Sequence, residues 1–197
     1  FRSEKVSEFV KAVLDCKIEY AKELYMHICE NYPIFITRNL ETAKQWVRDR
    51  AKGSQRYGMT SSSGAKRLRK FGVWVQSSIH APTWFLNDKD DVRSSYFLEE
   101  VATEFDIQGL ELDWTIVCWD ANLRFINDTF EYYKFLGTKW CRINKQEDIL
   151  YLKNAYRVLL TRARQGFVVF IPVLFSIIFS ISSRHVVPPT RQISSIL

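Results

Sequence analysis

Apolar residues along the chain alternate between two spacings. Val6, Phe9, Val10, Val13 and Leu14 recur every three or four positions. After a break near residues 15–17, Ile18, Ala21, Leu24, Tyr25 and Ile28 do so again. This period predicts a pair of helices over residues 3–30. Tyr32-Pro-Ile-Phe-Ile-Thr37 is a short apolar run, and Leu40, Ala43, Trp46 and Val47 follow at helical spacing. The pattern predicts a strand and then a helix, capped by Asn39 and stopped at Gly53. Tyr57-Gly-Met-Thr-Ser-Ser-Ser-Gly64 predicts a strand running out into a loop of small residues, which leaves room for a ligand.

A short basic helix or turn is predicted over residues 65–71. From 73 to 91 the pattern is irregular, and Pro82, Trp84, Phe85 and Asn87 fall in a predicted loop. Leu112-Asp-Trp-Thr-Ile-Val-Cys-Trp119 is dense enough in β-formers for a buried central strand. Residues 122–147 are mixed, and Phe125, Ile126, Phe130, Tyr132, Tyr133 and Trp140 fit either a β-excursion or an aromatic-rich loop. Residues 149–161 predict a helix with Leu150, Leu152, Tyr156, Leu159 and Leu160 on its buried face, and Phe167-Val-Val-Phe-Ile171 predicts a last strand. Strands alternating with helices demand an α/β fold, a mainly parallel sheet with helices on both faces.

Residues 166–183 carry no charge, which raises a membrane span. Pro172 divides the run, its first part is the predicted last strand, and the remainder is too short to cross a bilayer. No span is predicted. Residues 173–197, apolar and then Ser-rich with Pro188-Pro189, are read as an atypical tail.

A chain of 197 residues with 47% hydrophobic residues holds one domain with a core and an appendage or two. The net charge of +6 favours phosphate-bearing partners. Arg48, Arg50, Lys52, Arg56, Lys66, Arg67, Arg69 and Lys70 crowd into one stretch, which also fits a solvated basic face. Cys16, Cys29, Cys118 and Cys141 stand far apart with no metal spacing, so structural zinc is not expected and a reducing, cytoplasmic setting is. His27, His80 and His185 are isolated and read as structural. The chain starts at Phe1 without methionine, and sequence upstream of it is expected.

Two segments carry candidate chemistry. In Gln108-Gly-Leu-Glu111 a glycine lets backbone approach a ligand, and Glu111 can accept hydrogen bonds from a ribose or cap a turn. In Asn154-Ala-Tyr-Arg-Val-Leu-Leu-Thr-Arg-Ala-Arg164 three arginines, Arg157, Arg162 and Arg164, precede the last strand. Arginine's planar fork suits phosphate, although a cation near a helix C-terminus is favoured in any case.

Thr103-Glu-Phe-Asp-Ile-Gln-Gly-Leu-Glu111 resembles the fifth motif of superfamily 1 helicases, and Tyr156-Arg-Val-Leu-Leu-Thr-Arg-Ala163 their sixth. From about Tyr32 to Ile171 the chain is similar to the Schlafen-type DNA/RNA helicase domain, a P-loop NTPase family. The resemblance implies that residues 31–172 form the second RecA-like lobe of a two-lobe motor, after a helical lead-in over 1–30. It implies that Arg162 is an arginine finger for the γ-phosphate, with Gln108, Gly109, Glu111, Arg157 and Arg164 around the nucleotide. Thr103, Lys66 and Arg67 are assigned to the nucleic acid, and no residue to a metal. Gln108 stands where many superfamily members have lysine, so a charge contact is lost there.

No Gly-x-x-x-x-Gly-Lys-Ser/Thr loop occurs in the sequence, and no apolar strand ends in paired acids. ATP with Mg2+ is therefore expected to be held mainly by an upstream lobe, which the family places before this one. The expected function is the C-terminal lobe of a nucleic-acid-dependent ATPase or helicase. Two alternatives stand beside it. One is a non-catalytic nucleic-acid-binding module using the basic stretch and the aromatics Trp74 and Trp84, and the other is a fragment without independent activity.

Overall fold

The computed structural model describes residues 2–75 and 79–172, so the tail over 173–197 lies outside the described residues. The helical pair is α1 (Arg2–Leu14) and α2 (Ile18–Ile28). β1 (Ile34–Thr37) leads into α3 (Leu40–Arg50), where the Asn39 side chain accepts a hydrogen bond from the Thr42 amide, as its capping role requires. β2 (Tyr57–Ser61) is followed by a 3-10 helix, Lys66–Phe71. The segment expected to be a loop contains a short helix, α4 (Ala81–Leu86). Pro82 is pre-organised for a first turn, and the His80 ring accepts from the Thr83 amide, so a histidine supplies the cap.

β3 (Val101–Thr103) and β4 (Leu112–Cys118) come next. β5 (Leu123–Ile126), β6 (Thr129–Leu136) and β7 (Lys139–Arg142) make a separate antiparallel sheet. A two-residue turn at Asn127-Asp128, both at positive φ, joins β5 to β6 with the twist that hairpin strands need. α5 (Gln146–Thr161) then returns the chain to β8 (Ala163–Phe170). Leu150 departs from the predicted buried face and is 57% exposed, while Leu152, Ala155, Tyr156, Leu159 and Leu160 are buried.

The main sheet has five strands in the order β1-β8-β4-β2-β3, every neighbouring pair parallel. β4 is its middle strand and is covered on both faces. Trp114 meets Trp46 of α3 at 5.7 Å between ring centroids. Trp119, five positions on and so on the opposite side of the pleat, meets Tyr156 of α5 at 4.4 Å. That double burial explains why β4 reads as a continuous apolar run rather than an alternating one. Gly166 in β8 leaves space for the Pro33 carbonyl, which would lie 2.4 Å from a Cβ at that position.

The chain moves from β2 outward to β3, but from β4 it moves the other way, to β8. The strand order therefore switches between β2 and β4. In open α/β sheets the C-terminal side of such a switch opens a crevice. Because the strands are parallel, the sheet has two chemically distinct ends, roughly 23 Å apart along the seven residues of β4.

Candidate functional sites at the two ends of the sheet

Both sequence motifs arrive at the N-terminal end. The turn before β4 places Gly109 at φ 82°, a left-handed conformation that disfavours side chains. The Leu112 amide then donates to the Arg162 carbonyl at 3.1 Å, which ties the first motif to the second. Tyr32, 1% exposed, donates to the Ala163 carbonyl at 2.8 Å and fixes the start of β8 from below. Glu111, Thr161, Arg162 and Arg164, with Ser7 and Tyr32, line a cleft of about 350 Å³.

Charge in that cleft is unevenly compensated. Arg164 Nε donates to Glu111 Oε2 at 2.7 Å, and this contact holds the exposed guanidinium above its ordinary pKa. Arg162 is half-buried, its Nε has no hydrogen-bond partner, and no ion pair joins it to another described residue. A buried donor without an acceptor is costly, and Arg157 Nε on α5 shares that condition with Arg162 Nε, but only Arg162 lines the cleft. Of the six residues assigned to nucleotide, the structure brings Glu111, Arg162 and Arg164 together. Gln108 and Gly109 are exposed on the adjoining turn and do not line the cleft. Arg157 lies farther up α5, where its Nη1 donates to Asn154 Oδ1 at 2.9 Å.

The C-terminal end carries Thr103, Lys66 and Arg67. The Thr103 amide and hydroxyl both donate to Asp106 Oδ2 at 2.7 Å, so Asp106 caps the turn that follows β3. Asp113 likewise accepts from the Arg56 amide at 2.8 Å, and both acids that bracket the motif have structural partners. Lys66 and Arg67 are exposed on the 3-10 helix. The predicted basic stretch divides in space. Arg50 stacks on Trp46, and Arg56 donates to the Asn87 carbonyl at 3.0 Å and stacks on Tyr96, so neither contributes to one continuous surface with Lys66 and Arg67. Trp74 is 49% exposed under Arg69, but Trp84 is 1% exposed and lies against Gly58. The expectation that Trp84 is an exposed binding aromatic is thereby corrected.

Between these residues lies a buried polar network that pattern reading missed. The Asp120 amide donates to Tyr156 Oη at 3.2 Å, Tyr156 Oη donates to Asn122 Oδ1 at 2.7 Å, and Asn122 Nδ2 donates to Ser62 Oγ at 3.2 Å. Tyr156 was legible only as one more apolar position of α5. Beside the network, Glu104 accepts from the Ser63 amide (2.7 Å), the Ser63 hydroxyl (2.8 Å) and Tyr151 (3.1 Å), joining the loops after β2 and β3 to α5.

The Asp120 carboxylate is fully buried and neither oxygen has a hydrogen-bond partner among the described residues. Burial pushes its pKa up to about 7, against the pull of the Arg124, Arg67 and Lys70 charges. Burial likewise raises Tyr156 and pushes the Cys118 thiol up to about 12, which leaves that cysteine inert. An acid directly after an apolar strand, Cys118-Trp-Asp120, was a signal in the sequence for this buried carboxylate.

Among the described residues no group of three or more His, Cys, Asp or Glu could hold a metal ion, and no helix is long and apolar enough to cross a membrane. A family model described as "Schlafen group 3, DNA/RNA helicase domain" matches residues 1–173. No curated protein and no solved structure gives a significant match.

Proposed function

The chain belongs to the Schlafen group 3 DNA/RNA helicase domain family, and we propose that it is the finger-bearing, RecA-like lobe of a nucleic-acid-dependent ATPase. Arg162 carries the reading. Its half-buried guanidinium faces a cleft at the N-terminal end of the sheet, and its Nε is without a partner among the described residues. A planar fork in that position donates to the γ-phosphate oxygens and stabilises the charge that develops on them during transfer. Arg164 is already compensated by Glu111, which leaves Arg162 as the cation of this pair free to meet phosphate.

The described residues fit part of an ATP site and not the whole. They offer cations and a carboxylate within reach of a ribose, but no phosphate loop and no metal cradle. The phosphate cradle and the Mg2+ ligands belong to an upstream lobe, and this chain supplies the opposite wall. Gln108 and Gly109 form the rim beside it, and Arg157 braces α5 behind Arg162. The nucleic acid lies at the other end of the sheet, along Thr103, Lys66 and Arg67.

The test is steady-state ATP turnover by the protein with both lobes, with and without nucleic acid. Arg162→Ala is expected to lower kcat and leave ATP binding nearly intact, because a finger acts in the transition state. Turnover at the parent rate would remove Arg162 from the chemistry.

A further inference from the structure

The antiparallel sheet of β5, β6 and β7 has no part in that mechanism, yet its two faces differ sharply. Cross-strand register pairs Phe135 with Trp140, Tyr133 with Arg142, and Arg124 with Glu131, so these six share one face. On the opposite face the β5 end is buried, with Phe125 and Phe130 in the core and Phe130 packed against Trp119 at 6.2 Å, while Lys134, Leu136 and Lys139 are exposed farther along. The first face stays partly open: Tyr133, Phe135 and Trp140 are half-buried, not enclosed.

Cations sit over those rings. The Arg124 guanidinium lies 3.9 Å from the Tyr133 centroid and 5.0 Å from that of Trp140. Arg67, reaching across from the 3-10 helix, lies 4.5 Å from Phe135. Phe135 and Trp140 meet edge to face at 5.2 Å, which fixes the rings beneath. A stacked guanidinium commits its flat face and keeps its N–H edge for acceptors. Arg67 makes no hydrogen bond or ion pair with another described residue, and Arg124 commits only Nε, to the Ala121 carbonyl at 2.7 Å. Arg142 is paired with Glu131 at 3.3 Å, so the uncompensated charge belongs to Arg67 and Arg124.

Rings alternating with oriented guanidinium edges fit a ligand that alternates flat apolar groups with anions. A single nucleic-acid strand has that chemistry. A duplex hides the faces of its bases, and an acidic peptide would engage the cations without needing the rings.

We propose that the Arg124, Tyr133, Phe135 and Trp140 face of the β5-β6-β7 sheet, flanked by Arg67, binds a segment of single-stranded DNA or RNA. Phosphates meet Arg67 and Arg124, and bases stack on Phe135 and Trp140. This rests on the nucleic-acid half of the proposed function and is independent of the role of Arg162.

The experiment measures fluorescence anisotropy of labelled dT15, U15 and a 15-base-pair DNA duplex against the full chain over a range of salt. Both single strands are expected to bind more tightly than the duplex, and the tighter of the two names the preferred polymer. Phe135→Ala and Trp140→Ala are each expected to weaken single-strand binding about tenfold. Phe135→Leu, which keeps apolar bulk and the fold, should lose as much as Phe135→Ala. Arg67→Ala should lower the slope of log Kd against log salt by about 0.7, and Arg67→Lys should restore the slope but not all of the affinity.

Parent-like binding by the ring variants, or preference for the duplex, would overturn the surface. If such ring variants bind normally while Lys66→Ala and Thr103→Ala do not, the surface is wrong and the nucleic-acid reading stands. If the parent binds no strand at low salt, both fall.

Discussion

The two ends of the parallel sheet use the same kinds of polar residue in opposite ways. At the N-terminal end Glu111 and Arg164 pair in solvent and Arg162 lacks a partner for its Nε. At the C-terminal end Asn122, Tyr156 and Ser62 are buried and joined by hydrogen bonds, and Glu104 bonds Ser63 and Tyr151 beside them, so that four segments of chain are tied together. One end leaves Arg162 Nε without an acceptor among the described residues, and the other joins its buried polar groups to one another, with Lys66 and Arg67 exposed beside them. α5 connects them: Tyr151 and Tyr156 belong to the C-terminal network, while Arg162 is its C-cap at the N-terminal end. Sixteen helical residues span about 24 Å, so one helix reaches from the network to the arginine.

The largest test of this contrast is Arg162→Ala. ATP turnover by the two-lobe protein should fall about 10³-fold, roughly 4 kcal/mol in the barrier. Its denaturation midpoint should match the parent's, since no internal bond is lost. A midpoint that fell with the activity would make Arg162 structural.

Asp120→Asn probes the other end. A carboxyl whose pKa rises from 3.8 unfolded to about 7 folded holds its proton longer in the folded state. Stability is then highest below the unfolded value, declines as pH rises from about 4 to about 7, and is flat beyond, a loss on the order of a few kcal/mol. Urea midpoints at pH 5 and pH 8 should separate for the parent and converge for Asp120→Asn. Parallel curves would mean that Asp120 is charged in the fold.

Tyr156→Phe removes one hydroxyl that both accepts from Asp120 and donates to Asn122. The expected destabilisation is about 1–3 kcal/mol by chemical denaturation, because two buried groups lose their partner. An effect no larger than that of an exposed substitution would show that water replaces the hydroxyl.

Glu111→Gln is expected to have the smallest effect on stability, below the resolution of a thermal melt, because its pair with Arg164 is exposed and screened. Its effect should appear instead as weaker nucleotide binding. A clear drop in melting temperature would move this pair from the ligand site to the framework.

Much of the fold was legible because a parallel sheet needs continuous apolar strands and helices of one-sided pattern. β4, α3, α5 and the helical pair followed from spacing alone. α4 did not, since a six-residue helix is too short to show a period and takes its cap from a histidine. The β-excursion was one of two readings of its segment, and its pairing was not legible, because register depends on turns that hold Asn127 and Asp128 at positive φ. Part of the N-terminal cleft was legible because Glu111 and Thr161-Arg-Ala-Arg164 lie in two short motifs, whereas Ser7 and Tyr32 reach it from distant segments.

The C-terminal network was hidden for the converse reason. Ser62, Glu104, Asn122 and Tyr156 are up to 94 positions apart and share no spacing that either period would detect. Trp84 failed similarly: nothing local says that Gly58 clears a slot for its ring.

By itself the sequence determined the α/β class, most of the longer elements in their order and the two motifs, because all of these are written in local periodicity and adjacent residues. The tertiary structure alone decided that Arg162 Nε finds no acceptor among the described residues, that the Asp120 carboxylate is buried, and that Arg67 meets Phe135. Burial and pairing belong to groups brought together by the fold, and it is the distance between them in space, not along the chain, that sets their energy.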